Sequence, residues 1–265
     1  MKKKKLALLN LFSVILVIGV NAASQILRFN DTTNGEVSYK YFNLFTPADY
    51  AFAIWGVIFL GLIAYSVFQV RRAFFSHKNS DFIEQTGYWF ALANFLTTAW
   101  VFAFTYEYIG LSVLIMIGIL VSLLKVVINT NMERWDAPLK VIAFVWWPIC
   151  FYSGWIAVAT IANIASFLVK IDFAGSHLNQ IVWTMIMITI TVFINMLMIN
   201  LRNMREFALV GAWALFALFI KHNGSIDAIA YYALCGSILL IIAAGIHGYK
   251  NRDTSPVAKL KKRSN

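Results

Sequence analysis

Apolar residues run in blocks of about twenty, broken by short polar, charged or proline-bearing stretches. A helix of that length, rising ~1.5 Å per residue, crosses the hydrocarbon core of a bilayer. Eight such spans are predicted: Leu6–Ile26, Ala51–Val70, Tyr88–Tyr106, Ile109–Ile128, Val141–Val169, Ile181–Leu201, Phe207–Ile220 and Ile229–Tyr249. Within a bilayer the chain must satisfy its own backbone groups, so these spans are helical. Phe207–Ile220 is the shortest, 14 residues or about 21 Å of helix, with Arg205 and Lys221 placed to snorkel from its two ends. The expected fold class is an all-α polytopic membrane protein of about eight transmembrane helices.

Composition strengthens this picture. Of 265 residues, 60% are hydrophobic and only 13% charged, and mean hydropathy is +0.72, too apolar for a water-exposed surface. The net charge of +10 gathers at the two ends, which argues against a nucleic-acid-binding face. With the N-terminus in the cytoplasm, the inner segments hold Lys2–Lys5; Arg71, Arg72 and Lys78; Lys125, Arg134 and Lys140; Arg202 and Arg205; and six residues of the tail. That is 18 of the 22 Lys and Arg, the asymmetry expected of a multi-pass protein with both termini cytoplasmic. A bacterial inner membrane is the expected location. The tail carries Lys250, Arg252, Lys259, Lys261, Lys262 and Arg263, which also suits anionic lipid. The first span has signal-peptide features too, namely four lysines and Val20-Asn21-Ala22 as a cleavage site. Its apolar run continues to Ile26, which favours a retained anchor.

Catalytic signatures are missing. All 12 Asp and Glu fall in loops or at span ends, and no span holds the central acid that ion-coupled carriers and proton pumps use. The four histidines are scattered, and no phosphate loop, zinc-protease pattern or serine elbow occurs. Cys150 and Cys235 lie inside apolar runs without metal-type spacing, so each reads as a small buried hydrophobe and no metal site is expected.

Aromatic and amide residues remain. Trp89, Trp146, Trp147 and Trp183 sit near span ends and fit an interfacial belt. Trp55, Trp100 and Trp155 lie deeper, with Thr97 and Asn163 at similar depths. Two readings fit. If spans two, three and five face one another, these side chains line a cavity in the outer half, with the Phe45–Phe52 loop over its mouth. Alternatively, the small and polar residues only pack helix against helix. Thr184, Thr191 and Asn195 form a broken stripe on span six that reads as interhelical packing.

The order of these residues resembles the TspO/MBR family, the tryptophan-rich sensory or translocator proteins. The run Pro47-Ala48-Asp49-Tyr50-Ala51-Phe52-Ala53-Ile54-Trp55 is similar to the family's second-span signature, with Tyr for its first Trp and its Gly-Pro step missing. Trp155, Ala159 and Asn163 keep the fifth-span spacing, and Thr97 and Trp100 keep that of the third, with Thr in place of Asn. The resemblance covers about Leu6 to Lys170. It implies a five-helix bundle (residues 1–170), followed by an additional three-helix segment (171–249) and a basic cytoplasmic tail (250–265). It further implies a receptor whose ligand site comprises Pro47, Tyr50, Phe52, Trp55, Thr97, Trp100, Trp155, Ala159 and Asn163. Porphyrin, haem or a sterol-like lipid would be the ligand, with no cofactor required. Membrane lipid and a second copy of the chain are the expected partners. A transporter for a small apolar solute and a ligand-free scaffold are the alternatives.

Overall fold

In the computed structural model of the chain, residues 1–173, 177–252 and 258–260 are described, without the side chains of 177 and 178. Lys261, Lys262 and Arg263 lie outside the described residues.

Each of the eight expected spans is a helix. Helix α1 spans Lys2–Leu27, and a short α2, Asn34–Lys40, lies in the loop that follows. Then come α3 (Ile54–Phe74), the short α4 (Asp81–Thr86), α5 (Trp89–Thr105) and α6 (Ile109–Asn129). Helix α7 runs over Leu139–Lys170, α8 over His177–Arg202, α9 over Arg205–His222 and α10 over Asp227–Lys250. Six of these are long and apolar enough to cross a membrane. Helix α5 is a residue short of that class, and α9 carries charges at both ends. Side chains such as Ile15, Leu60, Leu114 and Phe193 are more than half exposed along mid-helix, which suits lipid and not water.

Helix α7 is the axis: 78% of its span is buried, against 28–39% for the other five long helices. It packs against α3, α6, α8 and α9. Pro148 has no N–H to give the preceding turn, and the helix widens to a π turn over Ile142–Trp146 just before it. Gly61 lets α3 close on that proline; a Cβ there would touch Pro148 at 3.3 Å.

Helix α1 is part of the bundle, packed on α3 and α5. Asn10 Nδ2 donates to Gln69 Oε1 of α3 (2.8 Å), and Asn94 Nδ2 of α5 donates to Ser13 Oγ (3.0 Å). All four side chains are buried, where such bonds replace lost solvation. Thr184, Thr191 and Asn195 are also buried, and Asn195 lies against Gly211 of α9, the packing role predicted for the stripe. Trp146 is buried rather than interfacial, because the π turn rolls it against Trp135. Cys235 faces outward and is exposed, unlike the buried hydrophobe expected.

Candidate functional site

The Arg28–Ala53 segment is a built cap over one end of the bundle. Arg28 turns left-handed and ends α1. Thr33 and Glu36 form a reciprocal capping box that starts α2, and Arg28 pairs with Glu36 at 2.8 Å. Asn30 Nδ2 donates to the Thr105 carbonyl (3.0 Å), and Lys40 Nζ and Tyr41 Oη both donate to Glu107 at 2.7 Å. Helix α9 holds the other side of the cap. His222 Nε2 bonds the Leu44 carbonyl (2.8 Å), Ala48 N–H donates to Ala217 O (3.3 Å), and Trp213 Nε1 donates to Ala51 O (3.2 Å). His222, one of the four scattered histidines, is 3% exposed and helps fasten the cap.

Glu107 is held below the usual carboxylate range by the hydrogen bond from Lys40 first and then that from Tyr41. A carboxyl depressed in this way stabilises the fold above its ordinary value of 4.5 and loses that contribution as the pH falls through the folded value. Proteolysis of the cap is expected to speed up below that pH. Glu107→Gln, which lacks the charge at every pH, should cleave faster at pH 7 and show a smaller further change on acidification, the remainder coming from Glu36, which the Arg28 hydrogen bond and the Thr33 N–H also hold below its ordinary value.

Beneath the cap is a cavity of about 520 Å³ between α1, α3, α5, α6 and α7. Trp155, Ala159 and Asn163 recur every four residues and therefore share the face of α7 that borders it. Trp55 and Phe59 of α3 and Trp100 and Phe104 of α5 complete the aromatic wall, and Pro47 and Phe52 close the top. The rings brace one another: Phe52 meets Trp155 edge-on at 5.8 Å, Trp55 meets Tyr152 at 6.2 Å, and Trp100 stacks on Phe104 at 4.8 Å.

Eight of the nine sequence-predicted residues border this cavity: Pro47, Phe52, Trp55, Thr97, Trp100, Trp155, Ala159 and Asn163. Tyr50 does not. The short 3₁₀ turn Asp49–Ala53 rotates it away, and its ring packs on Trp213 of α9 at 5.1 Å. Thr97 and Asn163 have their polar atoms committed within the protein. Thr97 Oγ1 donates to the Ala93 carbonyl (2.9 Å) and accepts from Tyr152 Oη. Asn163 Oδ1 accepts from Trp100 Nε1 (2.7 Å), and its amide donates to Ser112 Oγ (2.9 Å). Asn163 thus holds the wall ring of Trp100, and Thr97 holds Tyr152, on which the wall ring of Trp55 packs.

Sequence reasoning missed the contribution of α1 to the cavity, where Asn21 and Gln25 border the mouth together with Asn34, Ser38 and Tyr39. Their polarity in an otherwise apolar helix was the available signal. Asp49 is the only residue with a formal charge near pH 7 among the described lining residues, and it accepts from Tyr39 Oη. Arg28 and Lys40 nearby are paired with acids, and Lys170 donates to the Glu107 carbonyl at 2.5 Å.

An all-helical membrane bundle with a capped aromatic cavity at one end defines a multi-pass membrane protein of the TspO type. The chain belongs to the TSPO-like family, whose model matches residues 7–246. That match runs on through α8, α9 and α10, which the motif resemblance left outside. No curated protein and no solved structure matches the chain.

Proposed function

We propose that this protein is a membrane receptor or sensor whose aromatic cavity binds a flat, mostly apolar molecule. The observation that carries the proposal is the walled hollow of about 520 Å³, bordered by three tryptophans from three helices. Indole faces stack on planar ligands and give up little conformational entropy in doing so. The cap then shields the bound molecule from water.

The charge of the lining favours one ligand class. No Lys, Arg or His is among the described residues that border the cavity, and Asp49 stands at its mouth. Burying an unpaired carboxylate is costly. An uncharged sterol-like or esterified tetrapyrrole ligand therefore fits better than a porphyrin bearing free propionates. The distribution of basic residues supports a membrane orientation with both termini cytoplasmic and the cap outside.

Quenching of tryptophan emission in detergent tests this. Protoporphyrin dimethyl ester should quench saturably and bind about tenfold more tightly than the free acid, equivalent to about 1.4 kcal/mol. Trp155→Ala should weaken the ester by a similar factor. Linear, non-saturating quenching by both compounds would remove the proposal.

A further inference from the structure

At the opposite end of the bundle, three segments far apart in sequence meet beside a second, small cavity. The loop after α6 brings Glu133, the turn after the π turn of α7 brings Cys150, and the first turn of α9 brings Glu206. A carboxylate oxygen from each acid and the Cys150 Sγ lie within 4.8 Å of one another.

Their polar atoms are incompletely satisfied: Glu206 Oε1 accepts from Trp147 Nε1 (3.1 Å), but its other oxygen has no partner among the described residues. Cys150 is 0% exposed, and no hydrogen bond engages its sulfur among the described residues. Glu133 Oε1 and Glu206 Oε2 are buried and unbonded, and neither acid forms an ion pair among the described residues. Two more unpartnered buried atoms lie beside them, Arg205 Nε and His247 Nδ1. Glu133, Arg205 and His247 border a hollow of about 70 Å³. That exceeds the space one water needs, so a water ligand fits on the Glu133 side of the triad. Buried polar groups are satisfied in almost all folded proteins, so the three orphans that border the hollow, on Glu133, Arg205 and His247, and the fourth on Glu206 within reach of Glu133, point to a missing occupant.

Charge and donor chemistry narrow that occupant. Two carboxylates and a thiolate carry three negative charges. Arg205 offsets one of them, while Lys259 on the rim is already paired with Asp136. A divalent cation balances the remainder. A sulfur donor selects zinc-like metals over magnesium and calcium. Three atoms at the corners of a triangle with 4.8 Å sides lie about 2.8 Å from its centre. Zinc bonds of about 2.0–2.3 Å then require inward shifts of about 0.5–0.8 Å. His247 Nε2 lies 3.1 Å from Asn203 Oδ1 and 3.3 Å from Asn251 Nδ2, so Nδ1 is the ring nitrogen left free for a water in the hollow.

We propose that Glu133, Cys150 and Glu206 bind one divalent transition-metal ion of the zinc class, and that the ion clamps the α6–α7 loop, α7 and α9 together. The Cys150 thiol loses its proton to solvent on binding. This site is separate from the aromatic cavity, and its test does not depend on that ligand.

The full-length protein in detergent, stripped with chelator, would be titrated with ZnCl₂ by calorimetry and with CoCl₂ by absorption. The expected result is one ion per chain and a near-ultraviolet thiolate-to-cobalt band. Cys150→Ser should abolish the band, and Glu133→Gln and Glu206→Gln should each weaken zinc at least tenfold. Asp31→Asn, on an exposed acid at the other end of the bundle, should leave zinc affinity unchanged. If Cys150→Ser does not fold, the cobalt band of the wild type and its loss in Glu206→Gln decide the matter. No saturable zinc uptake, as for two acids that merely share a proton, would overturn the proposal. So would a cobalt band that survives Cys150→Ser and therefore arises at Cys235.

Discussion

Ala159→Leu is expected to reduce binding of a flat apolar ligand at least tenfold while leaving the melting temperature unchanged or slightly higher. Ala159 lies between Trp155 and Asn163 on the cavity-facing stripe of α7, and its methyl group is part of the wall. Leucine projects three more carbons into the hollow. In the free protein these fill apolar space, a gain of up to ~0.8 kcal/mol per buried methylene. In the complex they occupy the volume a ligand needs, and overpacking of this kind costs ~1–3 kcal/mol. The two measurements move apart only if the cavity is a binding site. If binding falls in step with stability, or does not fall at all, the hollow is not where the ligand goes. A protein that only packs helices would show a stability change and no binding to lose.

Gly154→Ala is expected to produce the largest loss of stability from a single added methyl group. An ideal Cβ on Gly154 falls 2.8 Å from the Phe207 carbonyl oxygen, 3.2 Å from Phe207 Cα and 3.1 Å from Val210 Cβ. Two of these atoms belong to the α9 backbone, which no rotamer change can move. The helices must separate, and the expected cost is near the upper end of the ~1–3 kcal/mol typical of overpacking. Gly56→Ala is the control, because a Cβ there meets nothing within 4 Å and alanine is the better helix former. Detergent melting curves should show a lower midpoint for Gly154→Ala and none for Gly56→Ala. Equal midpoints would mean that α7 and α9 do not touch at Gly154. Helix α9 also holds the cap through Trp213, Ala217 and His222. Separating it from α7 should therefore weaken ligand binding as well.

The spans were legible in the sequence because apolar length alone sets them. The face of α7 was legible because Trp155, Ala159 and Asn163 are spaced by one helical turn. Tyr50 was misread for a local reason: a 3₁₀ turn advances the chain differently from an α-helix, so sequence spacing does not give its direction. Asn163 and Thr97 border the cavity as the resemblance implies, but that their polar atoms are spent within the protein is not visible in the spacing. Their partners, Trp100 and Tyr152, sit 63 and 55 residues away.

The apolar pattern by itself determined that this chain is an all-helical membrane bundle, since backbone groups within a bilayer can be satisfied in few other ways. Only the tertiary structure decided which polar atoms are spent and which are left over. Glu133, Cys150 and Glu206 are a loop acid, a core thiol and a helix-end acid along the chain, and they become neighbours only where α7 and α9 close at Gly154. Hydrophobic patterning is a property of single segments, whereas a site is made by side chains that meet across several of them.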